Sequence, residues 1–196
     1  MIERLRGILV HKTPLLAVIE CGGVGYGVNV SARTGEVLPD EGAEVVLLTH
    51  LVVREDSLTL YGFLDLQEKE LFLNMIDVTG IGPKMAQRIL SSTSPSDFLS
   101  LIATENTAGL SKIKGIGKKT SEMLVLALKD KALSISAIAG KDSPILLPLA
   151  EQEAILALHT LGVRDPGAKK AVEKAAEILG KNADSGKLIA EALRHL

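Results

Sequence analysis

A short glycine-containing phrase occurs twice in this chain, in the same register and 35 residues apart. Residues 78–84 read VTGIGPK, and residues 113–119 read IKGIGKK. An internal repeat predicts that its segment is built from two copies of one structural unit. Because apolar residues recur at helical spacing before and after each copy, we predict the unit to be a helix, a glycine hairpin and a second helix.

The glycines of the two hairpins predict exposed backbone amides. Glycine allows a positive φ and leaves the amides bare of side chains, while Ile81 and Ile116 between the glycines are expected to turn inward. The second helix of each unit begins at once, so its first N–H groups have no helical acceptor. Such amides form a site for phosphate. The predicted binding glycines are Gly80, Gly82, Gly115 and Gly117.

Lysines follow both hairpins, namely Lys84 in the first copy and Lys118 and Lys119 in the second. A cation in the first turn of a helix opposes the helix dipole, so helix stability does not account for these lysines. A bound anion does, and residues 78–120 carry a net charge of +4 in a chain of net charge −2. This pattern is the helix-hairpin-helix motif, which predicts sequence-independent contact with a DNA backbone. The alternative, that the glycines only cap helices, leaves the lysines unexplained.

Composition argues against several other classes. A single cysteine excludes an internal disulfide and a cysteine-based zinc site, and the histidines have no ligand spacing (Cys21, His11, His50, His159, His195). We therefore expect no metal and no cofactor. The sequence has neither a signal-peptide pattern nor an apolar run of membrane length, so we expect a cytoplasmic protein without a membrane partner.

Residues 1–63 predict a five-stranded barrel of the OB type. Five short runs rich in Val, Ile, Leu and Tyr are bounded by turn residues, and a short helix is expected over 31–38; the runs are 2–10, 15–21, 24–30, 43–53 and 57–63. The glycines of residues 22–27 invite comparison with a nucleotide-binding loop. That interpretation is rejected because they lead into a strand, whereas a dinucleotide loop opens a helix.

Three further segments follow the barrel. Residues 64–131 predict an all-α domain of about five helices that contains both hairpins, with Ser94 capping one helix and Pro95 at its first position. Residues 132–148 lose periodicity and are predicted to be a linker. Residues 149–196 predict a bundle of three short helices, small enough to serve as a docking module. The fold class is therefore multidomain α+β.

An acidic turn joins the last two predicted strands, with Glu55 and Asp56 at its tip. Judged by pattern alone, adjacent carboxylates at a hairpin tip are typical of a solvated turn. A catalytic pair is the alternative, but no further carboxylate or histidine cluster completes an acid–base or metal site.

The order of these segments, together with three phrases, resembles the RuvA family of Holliday-junction-binding proteins. The phrases are MIERLRG at 1–7, VVREDSLTLYGF at 52–63 and VTGIGPK at 78–84. The resemblance implies a non-catalytic protein that holds four-way junction DNA open in recombination, repair and the SOS response. It implies a UBA-like C-terminal bundle, a homotetramer that can pair into an octamer, and two protein partners, the hexameric ATPase RuvB and the resolvase RuvC. The sequence has no nucleotide-binding phosphate loop, which agrees with a protein that leaves ATP hydrolysis to a separate motor.

The same resemblance implies roles for two further groups of residues. Glu55 and Asp56 would lie near a four-fold axis and act as an acidic pin that keeps phosphates out of the crossover and separates strands. The C-terminal bundle would contact the motor, and its candidate docking residues are the exposed apolar turn of Leu161, Gly162 and Val163.

Two other classes of function stay open from the sequence alone. An enzyme anchored by helix-hairpin-helix motifs, such as a glycosylase, ligase or nuclease subunit, needs a catalytic Lys or Asp beside a base-flipping pocket. Asp130 follows the second hairpin, but no aromatic residues accompany it to form a pocket. A protein-interaction scaffold that binds no DNA leaves the lysines after both hairpins without a role.

Overall fold

The computed structural model describes residues 1–138, 149–163, 165–180 and 183–195. These residues form two compact units, which lie within 1–146 and 147–196. None of the helices described is both long enough and apolar enough to cross a membrane.

The first unit begins with a closed five-stranded barrel. Its strands are β1 (Arg4–Thr13), β2 (Leu16–Cys21), β3 (Val24–Val30), β4 (Glu44–Val53) and β5 (Leu58–Phe63), paired in the order β1-β2-β3-β5-β4. Only the β3–β5 pair is parallel. The predicted OB-type barrel is confirmed. The strand β1 was expected to end at Val10, but a register shift between Leu9 and His11 lets it continue to Thr13.

Small residues allow the barrel to close and turn. The strands β2 and β3 are joined by Gly22 and Gly23, whose φ angles of 59° and 84° suit a tight hairpin of the kind that matches strand twist. These glycines thus form the turn between two strands, which agrees with the rejection of a nucleotide-binding loop. Inside the barrel, a Cβ on Gly62 would lie only 2.5 Å from Val28. The fully buried interior consists of Leu9, Ala17, Ile19, Val28, Val30 and Leu47.

A short helix and an all-α domain complete the first unit. Helix α1 (Ala32–Val37) lies between β3 and β4, and the domain consists of α2 (Leu66–Ile76), α3 (Pro83–Ser92), α4 (Pro95–Ala103), α5 (Thr107–Leu110) and α6 (Lys118–Ser136). The five expected helices are confirmed, as is the start of α4, where the Ser94 side chain accepts a hydrogen bond from the Asp97 amide and Pro95 is first.

Helix α6 extends into the segment predicted to be a linker. It ends at Ser136 and not near residue 131, and Ala132 and Ile135 are buried in the core of the helical domain. The helical spacing therefore continues through the first residues of 132–148, and the expectation that periodicity is lost there was wrong up to Ser136. Residues 139–148 lie outside the described part of the chain.

The barrel and the helical domain share a core and a buried polar contact. The ring of Phe72 packs 5.0 Å from that of Tyr61 and 4.9 Å from that of Phe63 (centroid distances). Beside them, the Glu68 carboxylate accepts hydrogen bonds from the Ser31 and Thr34 hydroxyls and the Leu64 amide, at 2.7 to 3.1 Å. Burial raises the pKa of Glu68, although these hydrogen bonds oppose the change. These hydrogen bonds thus hold α1 against α2.

The second unit is a three-helix bundle, as predicted. It comprises α7 (Leu149–Thr160), α8 (Asp165–Leu179), α9 (Ser185–Ala192) and a short 3₁₀ turn, Leu193–His195. The side chains that pack together are small, and include Ala154, Leu158, Ala168, Val172 and Leu188. Gly162, with φ of 89°, ends α7, because the Val163 amide then reaches back to the Leu158 carbonyl at 3.0 Å.

Candidate nucleic-acid interface

The two hairpins have the same backbone. Gly80 and Gly115 have φ angles of 87° and 98°, in the left-handed region that favours glycine. The next residues, Ile81 and Ile116, are 3% and 4% exposed. Their amides donate to the carbonyls of the residues three earlier, at 2.9 and 3.0 Å, which closes each turn. The inward orientation expected of these isoleucines is confirmed.

The second glycine of each hairpin has a different task from the first. Gly82 and Gly117 both have φ of −90° and are the N-caps of α3 and α6, without any side-chain cap. The positive φ that glycine allows is thus taken only by the first glycine of each pair. Apart from each glycine and its two chain neighbours, no atom of the residues described lies within 4 Å of the point where a Cβ would stand on Gly82 or Gly117. The missing side chain therefore leaves open space in front of the helix amides.

Unpaired donors and cations lie together at both helix starts. The amides of Gly82 and Lys84, and of Gly117, Lys118 and Lys119, have no acceptor within the described residues. The three lysine side chains are exposed and form no ion pair with any residue described. Each hairpin thus presents amides and positive charge to the same space, which is an arrangement suited to phosphate.

The acidic turn joins β4 to β5, and its residues are exposed. The Arg54 amide donates to the Ser57 carbonyl at 2.8 Å, and the Ser57 hydroxyl donates to Asp56 at 3.3 Å. Glu55 and Asp56 form no ion pair in the part of the chain that the structure covers. The turn therefore projects two uncompensated negative charges into solvent.

A groove of about 400 Å³ joins the acidic turn to the first hairpin. Its lining includes Asp56 of the turn, Gly82 and Lys84 of the first hairpin, and the buried Tyr61. Burial raises the pKa of Tyr61. Arg54 also lines the groove. Sequence reasoning missed this residue, although its place directly before two carboxylates was an available signal.

A second groove, of about 330 Å³, continues from the first along α3. The two grooves share Thr59, Tyr61 and Lys84, and the second adds Gln87 and Arg88. The second hairpin lines neither groove. The structure therefore brings the acidic turn and the first hairpin together, while Arg88, at the other end of this surface, lies beside Gly115 of the second hairpin.

The docking residues predicted in the C-terminal bundle differ in exposure. Leu161 is 64% exposed, and Gly162 is exposed as well. Val163 is half-buried and packs against the core of its own bundle, so the expectation of an exposed side chain was wrong there. Of the three, only Leu161 presents an apolar side chain to solvent.

The structure gives no support to an enzymatic site at the hairpins. Asp130 is exposed on α6 and lines neither of these two grooves, whereas a base-flipping enzyme needs its catalytic residue beside a pocket. Among the described residues no group of three or more His, Cys, Asp or Glu side chains is placed to hold a metal ion.

Three family models match successive parts of the chain. Residues 1–62 match the RuvA N terminal domain, residues 72–130 a SAM-like helix-hairpin-helix tandem, and residues 149–196 the RuvA C-terminal domain. The matched ranges contain the barrel, both hairpins and the small bundle in turn.

Whole-chain relatives agree with these matches. A protein of Acidobacterium capsulatum is 45% identical over 177 residues, which cover 90% of this chain and 89% of that protein. Proteins of Photorhabdus laumondii and Escherichia coli are 43% and 41% identical over 205 and 203 residues, covering 99% of this chain and 98% of each relative. All three are named Holliday junction branch migration complex subunit RuvA. With its barrel, its paired hairpins and its terminal bundle all matched, the chain belongs to the RuvA family.

Proposed function

We propose that this chain is the junction-binding, non-catalytic subunit of a DNA branch-migration complex. Its relatives are named as subunits of the Holliday junction branch migration complex. The chain would bind four-way DNA through phosphates, hold the junction open and leave ATP hydrolysis to a separate motor. Because junction DNA is the proposed ligand, the proposed location is the cytoplasm.

One observation carries this proposal: two hairpins of identical backbone present unpaired amides and lysines, and one of them faces an acidic turn across a shared groove. Phosphate contacts position a protein on DNA without reading its bases. A complex that moves a junction through any sequence needs contacts of that kind. The acidic turn adds a repulsive element beside the attractive one.

A four-fold assembly fits the number of binding elements to the ligand. A junction has four duplex arms with two backbones each, and each chain carries two hairpins. A homotetramer therefore offers one hairpin for every backbone, and two tetramers could enclose the junction as an octamer. In such an assembly the turns of Glu55 and Asp56 would gather around the crossover.

The gathered turns would act by repulsion. Two unit charges about 10 Å apart repel by roughly 0.4 kcal/mol in bulk water, and several-fold more where water is partly excluded. Many such pairs would keep phosphates away from the centre and guide strands apart without binding them. No hydrolysis is involved.

The second unit is the proposed site for the motor. We propose that Leu161, at the exposed end of α7, contacts the ATPase RuvB, with Gly162 holding the turn and Val163 anchoring it to the bundle. The resolvase RuvC is a further proposed partner at the open junction. An Asp at position 161 tests the contact, since Leu161→Asp should spare junction affinity and slow RuvB-driven migration. Unchanged migration would remove Leu161 from the docking surface.

The proposal as a whole is tested by comparing ligands. Equilibrium binding to a four-way junction and to linear duplex of the same sequence should show a clear preference for the junction, and the solution mass should be that of a tetramer or octamer. Junctions of unrelated sequence should bind equally. A monomer that binds branched and linear DNA alike would contradict the proposal.

The acidic turn has its own test. Replacing both carboxylates, Glu55→Ala with Asp56→Ala, removes repulsion but no proposed contact. Junction affinity should stay the same or rise, while the rate of branch migration or the extent of strand separation changes. A marked loss of affinity would indicate that the turn binds DNA.

A further inference from the structure

Arg88 reaches from the first helix-hairpin-helix motif to the second. It lies on α3 one turn after Lys84, and residues four apart share a helix face. The point where a Cβ would stand on Gly115 is 3.5 Å from Cδ and 3.7 Å from Nη1 of Arg88. Arg88 also lines the 330 Å³ groove together with Lys84. This one side chain therefore connects the first hairpin's groove to the turn of the second hairpin.

The internal repeat provides a comparison for this residue. The register that aligns Gly80 with Gly115 aligns Arg88 with Met123. Met123 occupies the reciprocal place, since its Cε is 4.0 Å from the point where a Cβ would stand on Gly80. In each repeat, the side chain at this position therefore lies beside the first glycine of the other hairpin. Because an uncharged methionine fills the space beside Gly80, packing alone does not explain why an arginine lies beside Gly115.

The charge of Arg88 has no partner within the protein that the structure describes. The residue is exposed, and its guanidinium forms no ion pair or hydrogen bond with any described residue. Its neighbours in the hairpin segment are predominantly basic, since residues 78–120 carry five cationic side chains besides Arg88 and two carboxylates. A cation in such surroundings is best compensated by a bound anion.

We propose that Arg88 binds a DNA phosphate between the two hairpins and makes them one continuous footprint. This rests on the proposed function, because it assumes that both hairpins engage DNA. A guanidinium offers paired N–H donors in a plane that matches phosphate oxygens. Met123, at the equivalent position of the second repeat, cannot supply such a contact. The first repeat therefore has one phosphate contact that the second lacks, although the backbones of their hairpins match.

The test is the salt dependence of junction affinity, measured on the full-length protein. Arg88→Met keeps the apolar stem and the helix propensity but removes the charge. We expect the slope of log affinity against log salt to fall by about 0.9 for each chain bound to the DNA. The matched control is Lys170→Met, which removes one exposed charge from α8 in the second unit and should leave the slope unchanged.

The repeat supplies a gain-of-function partner for the same experiment. Met123→Arg places a guanidinium at the equivalent position and should steepen the slope of the wild-type protein by a similar amount. In the double variant Arg88→Met with Met123→Arg, the slope should return towards the wild-type value. The single Met123→Arg variant keeps the proposal testable even if Arg88→Met is poorly folded.

The outcomes separate this inference from the proposed function. A wild-type slope in both Arg88→Met and Met123→Arg, with junction binding intact, would overturn the role of Arg88 and leave the junction-binding proposal standing. Absence of salt-dependent junction binding by the wild-type protein would overturn both.

Discussion

The two hairpins of this protein share a backbone but differ in what holds them. The first is attached to the barrel through α3, where the Gln87 amide donates to the Val30 carbonyl and the Ser91 hydroxyl accepts from the Ala32 amide at 2.9 Å. The second is held within the helical domain, where the Ser111 and Ser121 hydroxyls lie 2.7 Å apart. The sequence that the hairpins share determines the conformation of the turn, whereas the residues that flank it determine which part of the protein the turn faces.

The hairpins also differ in the donors that they offer. Pro83 is the first residue of α3 and has no N–H, whereas Lys118 at the equivalent place in α6 keeps its amide. The second hairpin adds Lys119 as well. We infer that the second hairpin binds phosphate more strongly, while the first places a bound strand beside the acidic turn.

The largest effect is expected from the stronger hairpin. Charge reversal in Lys118→Glu with Lys119→Glu removes two charged contacts per chain, at about 1.5 to 3 kcal/mol each, so junction affinity should fall by about 100-fold or more. Lys84→Glu in the first hairpin should cost clearly less. Titration of each variant with junction DNA measures both, and thermal unfolding checks that the folds are intact. Equal losses would remove the proposed inequality.

The next effect concerns the buried hydrogen bonds of Glu68, which lie where the barrel meets the helical domain that carries the first hairpin. Glu68→Ala leaves the Ser31 and Thr34 hydroxyls and the Leu64 amide without their buried acceptor, so the free energy of unfolding should fall by about 2 kcal/mol. Because α3 is hydrogen-bonded to Val30 and Ala32, and no such bond is seen from the second hairpin among the described residues, amide hydrogen exchange should quicken at 82–86 more than at 117–121. Equal quickening in both segments would show that the two hairpins share one support.

The same carboxylate predicts a pH dependence of stability. Burial raises the pKa of Glu68 above its ordinary value of 4.5, so in the window between 4.5 and the raised pKa the folded state binds more protons than the unfolded state. The free energy of unfolding therefore falls as pH rises through that window. Relative to Glu68→Gln, which has no such proton, the wild-type protein should lose stability over this range. Chemical denaturation of both proteins at several pH values measures the difference.

The smallest effect is expected from the missing amide of the first hairpin. Pro83→Ala restores an N–H at the start of α3, and one net hydrogen bond contributes about 1 kcal/mol to such a contact. Junction affinity should rise a few-fold and bring the first hairpin closer to the second. The reciprocal change, Lys118→Pro, should lower affinity more, because it removes both an amide and a charge. No change in affinity with Pro83→Ala would indicate that this amide faces no phosphate.

Local patterns were enough to predict the elements of the fold. The five strands, the helix capped by Ser94 and the inward isoleucines all follow from short-range spacing, because strand alternation and capping depend on neighbours in sequence. The end of α6 was missed because Ser134 and Ser136 resemble a linker. Ala132 and Ile135, which lie between them, are buried by contacts with distant helices.

The composition of the site was harder to predict than its existence. The repeat was enough to propose Gly80, Gly82, Lys84 and their equivalents as binding residues. The sequence carried no information on which hairpin would face the acidic turn, because that depends on side chains such as Gln87 that attach α3 to the barrel. The proximity of Arg88 to Gly115 connects two repeats, so the sequence of either repeat alone could not have predicted it.

Hydrogen exchange at the hairpin amides, with and without junction DNA, tests the central claim most directly. If the bare amides bind phosphate, exchange should slow at 81–85 and at 116–120 on junction binding, with the greater protection in the second segment. The acidic turn at 54–57 should show no such protection. Undiminished exchange at both hairpins under conditions that saturate the protein with junction DNA would contradict the account.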